Sequence, residues 1–187
     1  QQYMSLLLDH GKPPIHPLGT LGTEVSIVEV QMNGRTRNVQ TRLLYGKSPF
    51  ATPGLNALMS WSFAVPAGSD AARTSVTFLF RSPAIYAVEI PPPDVKSQAR
   101  EPNASALPQK IVDTGYPATA VAEGAVILAV RINTEGNVIG VEKISGDAAF
   151  FEQSQVALQS WKFSPARISN KAVNSTAYVV ISFVRPT

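Results

Sequence analysis

Residues 125–132 read AVILAVRI, an unbroken β-branched and aliphatic run that predicts a strand. The polar stretch NTEGN, residues 133–137, follows as a turn, with Gly136 at a position of positive φ. VIGVEKI, residues 138–144, alternates in part and returns as a second strand, closing a β-hairpin. Asp147 is then a candidate helix N-cap. Phe150, Ala157 and Trp161 sit seven and four residues apart, with Phe151 and Leu158 beside them, which marks the buried face of an amphipathic helix. Pro165 keeps that helix from continuing. AYVVISFV, Ala177 to Val184, predicts a last strand.

The same order of patterns occurs earlier. VSIVEVQM and NVQTRLLY predict a hairpin around Asn33-Gly34, and Thr52-Pro53 a helix start with Pro at the first helical position. Leu55, Leu58 and Trp61 then face a core, and SVTFLF, residues 75–80, predicts the third strand. Sliding the chain over itself by one hundred positions superposes Pro17 on Pro117, Ile27 on Ile127, Asn33 on Asn133, Gly46 on Gly146 and Trp61-x-Phe63 on Trp161-x-Phe163. A shift of 103 then brings Phe80 onto Phe183. The expected fold class is α+β: two tandem β-β-α-β units, each an antiparallel sheet with one helix packed on one face. The units span residues 1–86 and 110–187. Residues 87–109, rich in Pro, read as an extended, partly polyproline linker. Residues 3–8, YMSLLL, are apolar and precede a Pro-rich stretch. Both Trp residues and both following Phe residues read as core.

Composition narrows the chemistry. The net charge is +3, and basic and acidic residues nearly balance in residues 110–187, seven against six, so no basic patch for nucleic acid emerges. The absence of Cys excludes disulfides, Cys-ligated metals and Cys nucleophiles. No apolar run reaches the roughly 18 residues that span a bilayer. A chain starting Gln1-Gln2 reads as a mature or trimmed product that has lost a signal peptide or membrane anchor. His10 and His16 are the only histidines and do not suggest a metal site, and neither a phosphate-binding loop nor a G-x-S-x-G motif is present. No enzyme and no cofactor are expected.

Tyr116-Pro117, Ala120, Gly124-x-Val126, Val130-x-Ile132, Gly136-x-Val138, Ser145-Gly146, Leu158, Trp161-x-Phe163-x-Pro165-Ala166 and Val179-x-Ile181-x-Phe183 together resemble the TonB C-terminal domain. The likeness covers Lys110 to Val184. The earlier unit departs from it, with His16-Pro17 in place of Tyr-Pro, a displaced Gly22 and one inserted residue before Pro66-Ala67. The resemblance implies a periplasmic module of the Gram-negative envelope that takes a segment of an outer-membrane transporter as an added strand beside its third strand. An exposed strand edge offers unpaired N–H and C=O groups to such a segment. The expected binding residues are the edge strand Ala177, Tyr178, Val179, Val180, Ile181, Ser182, Phe183 and Val184, with Tyr116 and Pro117 near one end. The alternative is a structural or self-associating envelope protein in which the two third strands pair with each other and use up that edge.

Overall fold

The computed structural model describes residues 7–17, 22–46, 51–66, 71–120 and 122–186, so the apolar positions Tyr3 to Leu6 lie outside the described residues. In chain order its elements are β1 (Leu7–His10), β2 (Glu24–Asn33), β3 (Val39–Tyr45), α1 (Ala51–Leu58), β4 (Ser62–Ala64), β5 (Ala71–Phe80), α2 (Lys96–Ala99), β6 (Leu107–Lys110), β7 (Gly124–Ile132), β8 (Val138–Gly146), α3 (Ala148–Leu158), β9 (Lys162–Ser164), β10 (Ala166–Ile168), β11 (Lys171–Val173) and β12 (Ser175–Phe183). The fold is mixed α+β and mostly sheet. Six strands form the central sheet in the order β3-β2-β5-β12-β7-β8. Three two-stranded sheets accompany it, β1-β4, β6-β9 and β10-β11.

The central pair β5-β12 is parallel, with Tyr178 opposite Val76 and Ser182 opposite Phe80. The other neighbours are antiparallel. A parallel seam turns the two halves so that their helices cover opposite faces. On β12, Val179, Ile181 and Phe183 join Phe150, Leu158 and Trp161 in one core. Tyr178 and Val180, on the other face, join Leu58, Trp61, Phe78 and Phe80 in a second core. This is the period-two alternation of a strand buried on both faces. Each core draws on both halves: Val25, Ile27 and Leu79 belong to the first, Ile127 and Ala129 to the second.

Several contacts recur one hundred positions apart. Leu7 pairs with Ala64 and Leu8 with Phe63, as Leu107 pairs with Ser164 and Pro108 with Phe163. The Trp61 indole N–H donates to the Lys12 carbonyl at 2.7 Å, and that of Trp161 to the Val112 carbonyl at 2.9 Å. Gly46 and Gly146 have φ of 126° and 121°. At Gly146 a Cβ would stand 2.6 Å from the Ala125 carbonyl oxygen, so only glycine fits the turn from β8 into α3. Asp147 caps that helix, accepting from the Ala149 N–H at 3.1 Å.

Some local expectations shift. Thr52 and Pro53 lie inside α1, which begins at Ala51, so Pro53 is tolerated as a first-turn residue rather than as N1. In the first hairpin, around Asn33-Gly34 as expected, Arg37 takes a positive φ of 58°, and Asn33 Oδ1 accepts from the Arg35 and Thr36 amides. Gly136, with φ of 84°, takes the expected role in the second hairpin. The Pro-rich segment carries the short helix α2 and packs on the sheet. Val95, Ala99 and Ala106 join the core beneath α3, and Ser75 Oγ donates to the Ala106 carbonyl at 2.5 Å. The β10-β11 hairpin was not foreseen; Ser169 and Asn170, at φ of 50° and 66°, form its turn.

Candidate functional site

β12 supplies most of the sequence-predicted binding residues, and its surroundings follow from its composition. STAYVVISF contains neither charge nor Pro, and its middle, Ala177–Ile181, presents apolar side chains to both sides. It was expected at a sheet edge. It lies instead in the middle, with Ser175–Phe183 paired to β7 and Tyr178–Ser182 paired to β5. Ala177, Tyr178, Val179, Val180, Ile181, Ser182 and Phe183 are all buried, and Val184 beyond the strand is half-buried. The Tyr178 hydroxyl accepts from the Leu8 N–H at 2.8 Å, which ties β1 to this strand.

The Tyr116-Pro117 motif adjoins the end of β12. The Tyr116 N–H donates to the Ile85 carbonyl at 2.7 Å, and its hydroxyl to the Ala122 carbonyl at 2.7 Å. Its ring stands edge-on to Phe150, with centroids 6.2 Å apart, and Phe150 stacks on Phe183 at 4.4 Å. Tyr116 is therefore joined to the end of β12 through Phe150. Pro117 is buried, and its carbonyl accepts from the Ala120 N–H at 3.1 Å. His16, one hundred positions earlier, stands edge-on to Phe80 at 5.6 Å, with its Nδ1 3.0 Å from Ser182 Oγ. Burial holds the His16 pKa below the usual imidazole value, with Glu123 pulling weakly the other way.

Sequence reading missed a buried ion pair next to this motif. Arg81 Nε donates to Asp113 Oδ1 at 2.6 Å and Nη2 to Oδ2 at 3.1 Å, and both side chains are wholly out of solvent. Asp113 also accepts from the Val88 N–H at 3.0 Å, and Arg81 Nη2 donates to the Ala84 carbonyl at 3.2 Å. The pair fixes residues 84–88 against the chain leading into Tyr116. The guanidinium also lies 5.6 Å from the Phe183 ring centre. No period or motif announces this, because the two residues belong to different elements.

Two grooves flank β8. One, of about 610 Å³, opens between β1 and the sheet and is lined by Leu8, Phe63, Ala129, Arg131, Ile144 and Tyr178 among others. The other, of about 490 Å³, lies between β8 and α3. Among the described residues no group of three or more His, Asp or Glu is placed to hold a metal. No helix of the described residues is long and apolar enough to cross a membrane.

This geometry suits contacts between backbones and apolar side chains. A comparison with protein families matches residues 115–184 to the model described as the Gram-negative bacterial TonB protein C-terminal. No curated protein and no solved structure matches the chain. The matched stretch runs from the Tyr116 motif through the β7-β8 hairpin, α3 and β12, the segment over which the sequence motifs fall in order. Over residues 115–184 the chain is thus similar to the TonB C-terminal family, whose members are non-enzymatic protein-interaction domains of the Gram-negative periplasm.

Proposed function

We propose that this chain is a protein-interaction module of the Gram-negative envelope, built from two TonB C-terminal-like units whose third strands are each other's partners. The family match supports the interaction class and the compartment. The observation that carries the pairing is the position of β12, hydrogen-bonded to β5 on one side and to β7 on the other. The recurrence of Trp and Phe contacts one hundred residues apart supports two copies of one unit. In this reading the strand edge that a partner would use is filled from within the chain.

A second reading is engagement of an outer-membrane transporter segment at Ala177–Val184, near Tyr116 and Pro117. It is favoured by the partners of the family. It requires β5 to leave β12, and thereby to expose Val76, Phe78 and Phe80, each wholly buried. Burial of such side chains is worth about 1.5–3 kcal/mol apiece, so displacement is costly. An amide NMR titration with an extended periplasmic transporter peptide decides between the two. Internal pairing predicts slow exchange of the β5 and β12 amides and no shift on adding peptide. Shifts concentrated in Ala177–Val184 and around Tyr116, with β5 amides becoming fast, would establish transporter capture instead.

A further inference from the structure

The sheet ends in β3 on one side and β8 on the other, and the two edges are built differently. β8 is interrupted twice, with register shifts opposite Ile127/Leu128 and Arg131/Ile132, and carries Gly140, Glu142 and Lys143. Bulges and charges of this kind protect an edge from further pairing. β3 has no such bulge over its first five residues. Val39–Leu43 pairs without a break against Met32–Val28, and the register shifts only beyond Leu43. All five residues are exposed, including Val39 at 43% and Leu43 at 40%. Among the described residues no strand lies beyond β3. Its one charge, Arg42, is drawn onto Glu29 and Glu101, at 3.2 and 3.0 Å.

The order Val39-Gln40-Thr41-Arg42-Leu43 is self-complementary when reversed. Antiparallel pairing with an identical strand about Thr41 sets Val39 against Leu43, Gln40 against Arg42, and Thr41 against Thr41. Val39, Thr41 and Leu43 share the face of Met32, Val30 and Val28, their partners across β3-β2. The apolar row of that face would therefore continue across the junction. Centring on Arg42 would oppose two guanidinium groups, and a parallel in-register pairing would place them side by side. Centring on Gln40 would set Leu43 against Arg37. We propose that β3 is a self-association edge, and that its occupant is the β3 of a second copy of this chain, antiparallel about Thr41. A five-residue edge is far smaller than the roughly 1,200–2,000 Å² of a stable interface, so the dimer is weak and forms at high concentration.

The chain has no cysteine, which makes the register directly readable. The Thr41→Cys variant, oxidised at about 100 μM to favour a weak interface, should give a disulfide-linked dimer, because directly opposed residues lie within disulfide reach. Val39→Cys should give none, since its counterpart lies four residues along the partner strand. Adding Leu43→Lys to Thr41→Cys should lower the dimer fraction about tenfold, by removing two symmetry-related apolar pairs. Leu43 is exposed, so an unchanged far-UV spectrum checks the fold. Equal cross-linking of the two cysteine variants, or no dimer by sedimentation at the same concentration, would overturn the proposal. So would a dimer indifferent to Leu43→Lys, or β3 amides shifted by an unrelated extended peptide in a monomeric chain.

Discussion

At the scale of the residue, the Arg81–Asp113 pair is the most exposed to mutation. Asp113 accepts from Arg81 Nε and Nη2 and from the Val88 and Thr114 amides. Asp113→Ala leaves a guanidinium that is 0% exposed without its counter-charge. The expected loss is about 3–5 kcal/mol, read as a lower denaturant midpoint. The double variant Arg81→Met/Asp113→Ala removes the charge with its partner and should recover most of that loss. A small effect of Asp113→Ala alone would mean that water reaches the guanidinium. Trp161 and Phe163 were legible as core from helical spacing, because their burial follows from the pattern of their own helix and exit. The ion pair was not, because neither residue has a local reason to be buried.

At the scale of the element, the informative difference concerns residues 87–109, expected as a linker. Their Pro content suggested an extended spacer, and polyproline stretches do lack ladder donors. The structure satisfies them otherwise. Ala104 exchanges backbone bonds with Arg167 at 3.0 and 2.8 Å, Arg73 Nη1 donates to the Asn103 carbonyl at 3.2 Å, and Val95 and Ala99 are buried. The clue was Val95-x-x-x-Ala99, a helical spacing too short to stand out in a Pro-rich context. Lys96 and Arg100 are exposed trypsin sites on this segment. Docked backbone should make native cleavage there about a hundredfold or more slower than in unfolded chain, because opening must come first. Ala99→Glu should accelerate it. Rapid clipping at Arg100 with the rest of the chain intact would show that the segment does not hold to the sheet. β12 teaches the complementary lesson. Its type and length were legible, but its place was not, although the apolar run Ala177–Ile181 puts apolar side chains on both faces, as in a strand covered twice. The parallel seam to β5 joins distant segments, and only that pairing reveals what fills the second face.

At the scale of the molecule, the seam decides how the chain unfolds. The core under α3 takes Val25, Ile27 and Leu79 from the first half, and the core under α1 takes Ile127, Ala129, Tyr178 and Val180 from the second. Neither half can bury its own sheet face alone, so both should be lost in one cooperative step. Each core holds one Trp: Trp61 near α1, 6.1 Å from Phe78, and Trp161 near α3, 6.1 Å from Phe163. The Trp161→Phe variant reports from Trp61 alone, and Trp61→Phe from Trp161 alone. Each substitution loses one buried indole hydrogen bond, at a cost of about 1–3 kcal/mol, so each variant is compared with its own far-UV circular dichroism. In both, the fluorescence and dichroism midpoints should coincide. If the Trp61 signal melted well before the dichroism while the Trp161 signal persisted, the halves would be independent domains. β12 would then be freed as an edge whenever the first half opened, and transporter capture would become a matter of unfolding that half. Coincident transitions would leave β3 as the edge available for partners in the folded chain.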